Sequence, residues 1–156
     1  YLYYGASAVS GGRMPWAERP LVRDIVEKAD SCLKLNHPNA TMRFGHDSVV
    51  LPLVCLLDID GYGTSTADID SLEAYNWINT NIYPMACNVQ FVFYKPIDPA
   101  SKKPILVKVL LNEEEATLPI AAYPIPSAEE RGSMGIPYYS WQDVRNYLLS
   151  KCNSTK

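Results

Sequence analysis

The stretch TMRFGHDSVVLPLVCLLDIDGYG, residues 41–63, decides how this chain is read. It carries two acidic signatures, Gly45-His46-Asp47 and Asp58-Ile59-Asp60-Gly61, on either side of one apolar run. The two demand different secondary structure for the residues between them. If Val49 to Leu57 is a strand, Asp58 stands at a strand end; if it is a helix, His46 and Asp47 stand at a helix start. A continuous apolar run of this length fits either. Pro52 decides: in a central strand a proline removes a ladder hydrogen bond, whereas near the first turn of a helix it removes one bond at most. With Asp47 or Ser48 as N-cap, Pro52 falls at the end of the first turn, so the run is predicted to be a helix.

Outward from this stretch, the pattern alternates helix and strand. Leu21, Val22, Ile25, Val26, Ala29, Cys32 and Leu33 repeat at helical spacing behind Pro20, and the turn cluster Asn36-His37-Pro38-Asn39 ends that helix. Thr41 to Phe44 reads as a short strand ending at Gly45. Residues 58–70 read as a Gly-, Ser-, Thr- and Asp-rich loop, and a second helical patch around Leu72, Tyr75 and Ile78 ends before Pro84. Asn88–Tyr94 and Ile105–Leu111 are β-rich runs expected to pair antiparallel. Residues 1–14 and 113–139 are expected to be irregular, the latter with only short local structure. Ser140-Trp141-Gln142-Asp143 is a capping-box pattern opening a final helix whose apolar face includes Val144, Tyr147 and Leu148. Helices interleaved with strands predict one α/β unit over residues 1–156.

Composition narrows the function. The 156 residues are 47% hydrophobic, enough for one core, and the formal net charge of −3 comes with no basic run beyond Lys102-Lys103. That argues against nucleic acid or an anionic membrane surface as partner. No apolar stretch reaches the roughly 20 residues of a membrane span. Cys32, Cys55, Cys87 and Cys152 form no Cys-x-x-Cys pair and do not cluster with histidine, so zinc is not expected, and buried free thiols are preferred to a disulfide. The start at Tyr1 rather than Met is read as upstream sequence removed.

The two signatures lead to different chemistry. Leu56-Leu57-Asp58-Ile59-Asp60-Gly61-Tyr62 partly resembles the Asp-x-Asp-Gly-Thr strand end of haloacid-dehalogenase-like phosphatases, which would make Asp58 the nucleophile and Asp60 the acid and base, with Mg²⁺. The expected Thr is displaced, no convincing Asp-Asp or Gly-Asp pair follows downstream, and Pro52 sits in the required strand. A helix end running into an Asp-Gly turn is the preferred reading, and Gly61 is at the wrong offset from Asp58 for a calcium loop. Gly45-His46-Asp47, by contrast, sets an imidazole and a carboxyl beside the unpaired N–H groups and positive dipole end of a helix, a place suited to phosphate. The plain alternative is that Asp47 caps the helix and His46 is a loop histidine.

Met42-Arg43-Phe44-Gly45-His46-Asp47 followed by an apolar helix resembles the C-terminal His-Asp motif of the histidine acid phosphatases, branch 2 of the histidine phosphatase superfamily, which includes phytases and multiple inositol polyphosphate phosphatases. Gly12-Arg13-Met14-Pro15-Trp16, Gln90–Tyr94 and Val107–Glu113 agree in order, so the resemblance covers most of the chain. It implies the C-terminal part of a phosphoglycerate-mutase-like layered α/β/α fold with a mixed sheet. It also implies that His46 contacts the phosphoryl group and Asp47 donates the proton, with no metal or other cofactor. Ser48 stands where such proteins often have Thr and is a candidate phosphate contact. Arg43 is a second candidate, although a structural ion pair is preferred for it. Relatives of the inositol polyphosphate type often carry His-Ala-Glu where this chain has His-Asp.

The resembled family takes its nucleophile from Arg-His-Gly-x-Arg-x-Pro near the N-terminus, and of the two histidines here, His37 and His46, neither follows an Arg. The expectation is therefore a C-terminal part that lacks the nucleophile and is inactive alone. Its substrate would be a phosphomonoester, inositol phosphates included, and its partner the missing N-terminal half. The resemblance suggests an extracytoplasmic (periplasmic or secreted) location. The other reading is a non-catalytic phosphate-binding or interaction module.

Overall fold

The computed structural model describes residues 1–98, 100–124 and 137–154. Part of the stretch expected to be irregular, residues 125–136 with Pro126, lies outside the described residues. The first helix, α1 (Arg19–Cys32), follows a 3₁₀ turn at Met14–Glu18 and has Pro20 in its opening turn, where the missing N–H has no helical partner to lose. It buries Val22 and Val26, and Leu21, Ile25, Ala29 and Leu33 pack partly against the same core.

The decisive run is helical. α2 (Asp47–Leu56) buries every residue from Leu51 onward, and its N-cap is His46, one residue earlier than the sequence suggests. Pro52 is thus inside the helix rather than at the end of its first turn, and the Ser48 carbonyl four residues back loses its partner. Full burial of the surrounding apolar side chains outweighs that bond. The predicted helical patch near Leu72 is shorter than expected. It consists of a 3₁₀ turn, Leu72–Tyr75, and a one-turn α3 (Asn79–Ile82), parted by Asn76 in the left-handed region at φ 54°.

Among the described residues four strands follow α3: β1 (Val89–Tyr94), β2 (Leu106–Leu111), β3 (Glu114–Ala116) and β4 (Tyr139–Ser140). β2 lies between β1 on one side and both β3 and β4 on the other. All three pairings are antiparallel, where a mixed sheet was expected. One cause is local: Leu111 pairs with Glu114, leaving a two-residue turn, Asn112-Glu113, at φ 53° and 70°. Both central residues at positive φ make the tight hairpin connection that only antiparallel strands allow. The class is therefore helices with a small antiparallel sheet.

β2 alternates in burial, with Val107, Val109 and Leu111 inside. That face meets α4 (Trp141–Asn153), which buries Trp141, Val144, Leu148 and Cys152. The Phe93 ring meets Trp141 edge-on at 5.1 Å. The capping box forms as read: Ser140 Oγ accepts from the Asp143 backbone N–H at 3.1 Å and donates to the Asp143 carboxylate at 2.6 Å. α1 and α4 are tied through Asp30, which accepts from Trp141 Nε1 at 3.0 Å and Arg145 Nε at 2.8 Å. On the opposite sheet face Lys108 pairs with Glu115 and lies over the Tyr138 ring.

The predicted strand at Thr41–Phe44 is not formed. Residues 39–46 carry no regular structure, and Met42 and Phe44 are 75% and 94% exposed. A strand exists only by pairing, and among the described residues no backbone group of Thr41–Gly45 has a hydrogen bond.

Candidate functional site

His46 and Asp47 sit at the start of α2. His46 has extended backbone, φ −107° and ψ 166°, and its carbonyl accepts from Val49 N at 2.9 Å and Val50 N at 3.2 Å. Its side chain caps nothing, and among the described residues the imidazole has no hydrogen bond or ion pair. Asp47 is the first helical residue. Its Oδ1 accepts from the Ser48 backbone N–H at 2.8 Å, which leaves Oδ2 without a hydrogen-bond partner among the described residues. Both residues are exposed, and Ser48 is half-buried. The positive end of a ten-residue helix therefore presents an unengaged imidazole and one free carboxyl oxygen to solvent.

Arg43 is placed elsewhere. Its Nε and Nη2 both reach Asp24 Oδ2, at 2.8 and 2.5 Å, and Nη2 also donates to the Asp24 carbonyl at 3.3 Å. The guanidinium ties the 41–45 segment to α1, as the preferred sequence reading had it. His37 is apart from this group, exposed in its turn with Nδ1 3.0 Å from the Pro38 carbonyl. A neighbour that sequence reasoning missed is Cys87. Partial burial holds its thiol above the usual range, and the Asp47 charge pushes in the same direction.

The second signature is built as a turn. Leu57 closes α2, and Asp58 follows in the left-handed region at φ 48°. Its Oδ1 accepts from Gly63 N at 2.8 Å, and a Cβ on Gly63 would lie 2.7 Å from that oxygen. Asp60, at φ 50°, accepts through Oδ1 from both the backbone N–H and the hydroxyl of Thr117, at 2.7 and 2.8 Å. The residues before Asp58 are helical, so the strand end that an aspartate nucleophile would occupy is not there. Among the described residues no three His, Cys, Asp or Glu side chains converge.

A cavity of about 310 Å³ lies at this C-terminal end of α2, bordered by Cys55, Asp58, Gly63 and Lys151. Ten residues of helix separate it from His46, about 15 Å at the usual rise per residue. It is no part of the His46 site. Burial pushes the Cys55 thiol beside it from 9.0 to about 12, so that sulfur stays protonated and inert at neutral pH. No helix among the described residues is long and apolar enough to cross a membrane. No protein-family model matches the chain, and no curated protein does.

Proposed function

We propose that this chain is the C-terminal part of a phosphomonoester hydrolase of the histidine acid phosphatase type, to which it contributes His46 and Asp47. The observation that carries the reading is the start of α2, where an imidazole and a carboxyl oxygen stand exposed and unengaged beside helix N–H groups. The resemblance of Met42–Asp47 gives that geometry its chemistry. In the intact protein the helices and antiparallel sheet form one side of a phosphoglycerate-mutase-like layered α/β/α fold with further, parallel strands.

In this reading His46 and the helix N-terminus hold the phosphoryl oxygens, with Ser48 as a further contact. A histidine supplied by the missing half attacks phosphorus, and the bond to the leaving oxygen breaks as Asp47 delivers a proton to it. Water then cleaves the phosphohistidine and returns a proton to Asp47. Ser48 N–H on Oδ1 orients the carboxyl so that Oδ2 carries the proton. Phosphomonoesters, inositol phosphates among them, are the substrate class, no cofactor is required, and the setting is extracytoplasmic.

The test uses two proteins. The 156-residue chain is expected to hydrolyse no phosphomonoester, while a chain extended upstream through an Arg-His-Gly segment is active. Asp47→Asn is expected to reduce its turnover by about 10²- to 10⁴-fold, the range of one general acid. Turnover by the short chain that depended on Asp58 and Mg²⁺ would overturn the reading. Phosphate binding without turnover by the extended chain would make it a binding module.

A further inference from the structure

The cavity at the C-terminal end of α2 is built from four separate stretches of chain. These are residues 6–16, the last turn of α2 with Cys55 and Leu56, the 58–65 turn, and Lys151 near the end of α4. Small residues keep it open. Ala6, Ala8, Gly11, Gly12 and Gly63 border it, and two of these glycines leave no room for a side chain. A Cβ on Gly63 would lie 2.7 Å from Asp58 Oδ1, and one on Gly12, at φ 57°, would lie 3.3 Å from the Ala6 carbonyl oxygen. Hydrogen bonds between the stretches hold the walls: Ala8 N donates to the Thr66 carbonyl at 3.4 Å, Gly63 N to Asp58 Oδ1 at 2.8 Å, and Tyr147 Oη to the Leu57 carbonyl at 2.9 Å. The space is therefore pre-formed. At about 310 Å³ it falls at the small end of ligand pockets, which run from about 300 to 1,000 Å³.

Two charged side chains border the cavity, Asp58 and Lys151, and they do not pair with each other. Neither belongs to an ion pair among the described residues. Asp58 Oδ1 holds Gly63, while its Oδ2 has no hydrogen-bond partner among the described residues. Lys151 Nζ lies over the Tyr147 ring, 4.9 Å from its centroid, and has no hydrogen bond among them. Arg19, which lies over the Trp16 ring of the same wall, is engaged: it donates to the Trp16 and Ser154 carbonyls. Asp58 and Lys151 are both half-buried, so each charge has lost part of its water without gaining an opposite charge.

We propose that this cavity binds a small zwitterion of the α-amino-acid class, its carboxylate paired with Lys151 and its ammonium with Asp58. The site stands apart from the phosphatase function, since His46 is at the other end of α2. A lone anion would match Lys151 and meet the Asp58 carboxylate, and a lone cation would do the opposite. A ligand that carries both charges matches both. The small volume favours amino acids with short side chains.

Titration of the isotope-labelled 156-residue chain with L-alanine, followed through its amide chemical shifts, tests this. Saturable shifts are expected at Gly12, Gly63 and Ser65 and none at His46 or Asp47. Acetate and methylammonium, each with half of the charge pattern, are expected to bind at least about tenfold more weakly, the loss that goes with one charge-assisted contact. Lys151→Met keeps an apolar stem and breaks no ion pair, so it should leave the spectrum folded and weaken L-alanine binding by about tenfold or more, while Lys151→Arg retains it. Absence of saturable shifts at the three amides would overturn the proposal. So would acetate binding as tightly as L-alanine, or L-alanine binding that Lys151→Met leaves unchanged. Glucose binding at the same amides more tightly than L-alanine would overturn it in favour of a polyol site.

Discussion

The two ends of α2 carry similar residues and opposite fates. At its C-terminal end Asp58 and Asp60 spend their carboxylates on Gly63 and Thr117, closing a loop that holds three residues at positive φ, Asp58, Asp60 and Gly61. At its N-terminal end Asp47 bonds only its neighbour's N–H and His46 bonds nothing among the described residues. An acidic motif at a turn whose carboxylates each hold a donor five or more residues away in the chain is explained by the fold. One left open where a helix dipole favours anions is available for chemistry. Hydrogen-bond accounting, rather than motif shape, separates the two.

The comparison can be broken first at its active end. Asp47→Asn, expected to reduce turnover in the extended chain, should leave the melting temperature of the 156-residue chain within about 2 °C, because the side chain holds no distant hydrogen-bond partner among the described residues. A large drop would make Asp47 structural. The reverse is expected at the other end. Asp60→Asn should lower stability by about 1–3 kcal/mol in a urea titration, because Thr117 keeps at most a weaker acceptor, with turnover of the extended chain unchanged. Equal effects of the two substitutions on stability would erase the contrast.

Alkaline titration probes the buried C-terminal half of α2 again. Cys55 has its pKa raised from 9.0 to about 12 in the fold, so the native state holds its proton where the unfolded chain releases it. Its contribution is fully present below pH 9 and is lost as pH rises from 9 towards 12. Stability should fall over that window, and Cys55→Ala should flatten the fall even if the small cavity it leaves lowers stability at neutral pH. The smallest effect is expected at Arg43. Its pair with Asp24 has side chains 31% and 47% exposed, so Arg43→Ala should cost under about 1 kcal/mol. If Arg43 also touched phosphate, the substitution would raise KM in the extended chain, and the tether reading would need revision.

Much of the fold was legible. Pro52 ruled the apolar run out of a central strand, helical spacing gave α1, and Ser140 with Asp143 gave the start of α4. β1 and β2 were read within one residue of their bounds because both are rich in β-branched or aromatic residues. β3 was missed, since its turn is Asn112-Glu113 and lacks the glycine that advertises a hairpin. The strand read at Thr41–Phe44 had the right composition and, among the described residues, no partner. At the candidate site the sequence named His46 and Asp47 but could not see Cys87, which approaches from forty residues on without any motif.

What the sequence by itself determined about this protein is local: which runs are helix, where a cap or a proline must sit, and that an imidazole and a carboxyl begin a helix. These follow from backbone sterics and from interactions spanning a few residues. Only the tertiary structure decided that Asp60 is held by Thr117, 57 residues away, that Arg43 is held by Asp24, and that residues 41–44 pair with no strand among the described residues. Each of those outcomes depends on which distant donor or acceptor the packed core brings within reach.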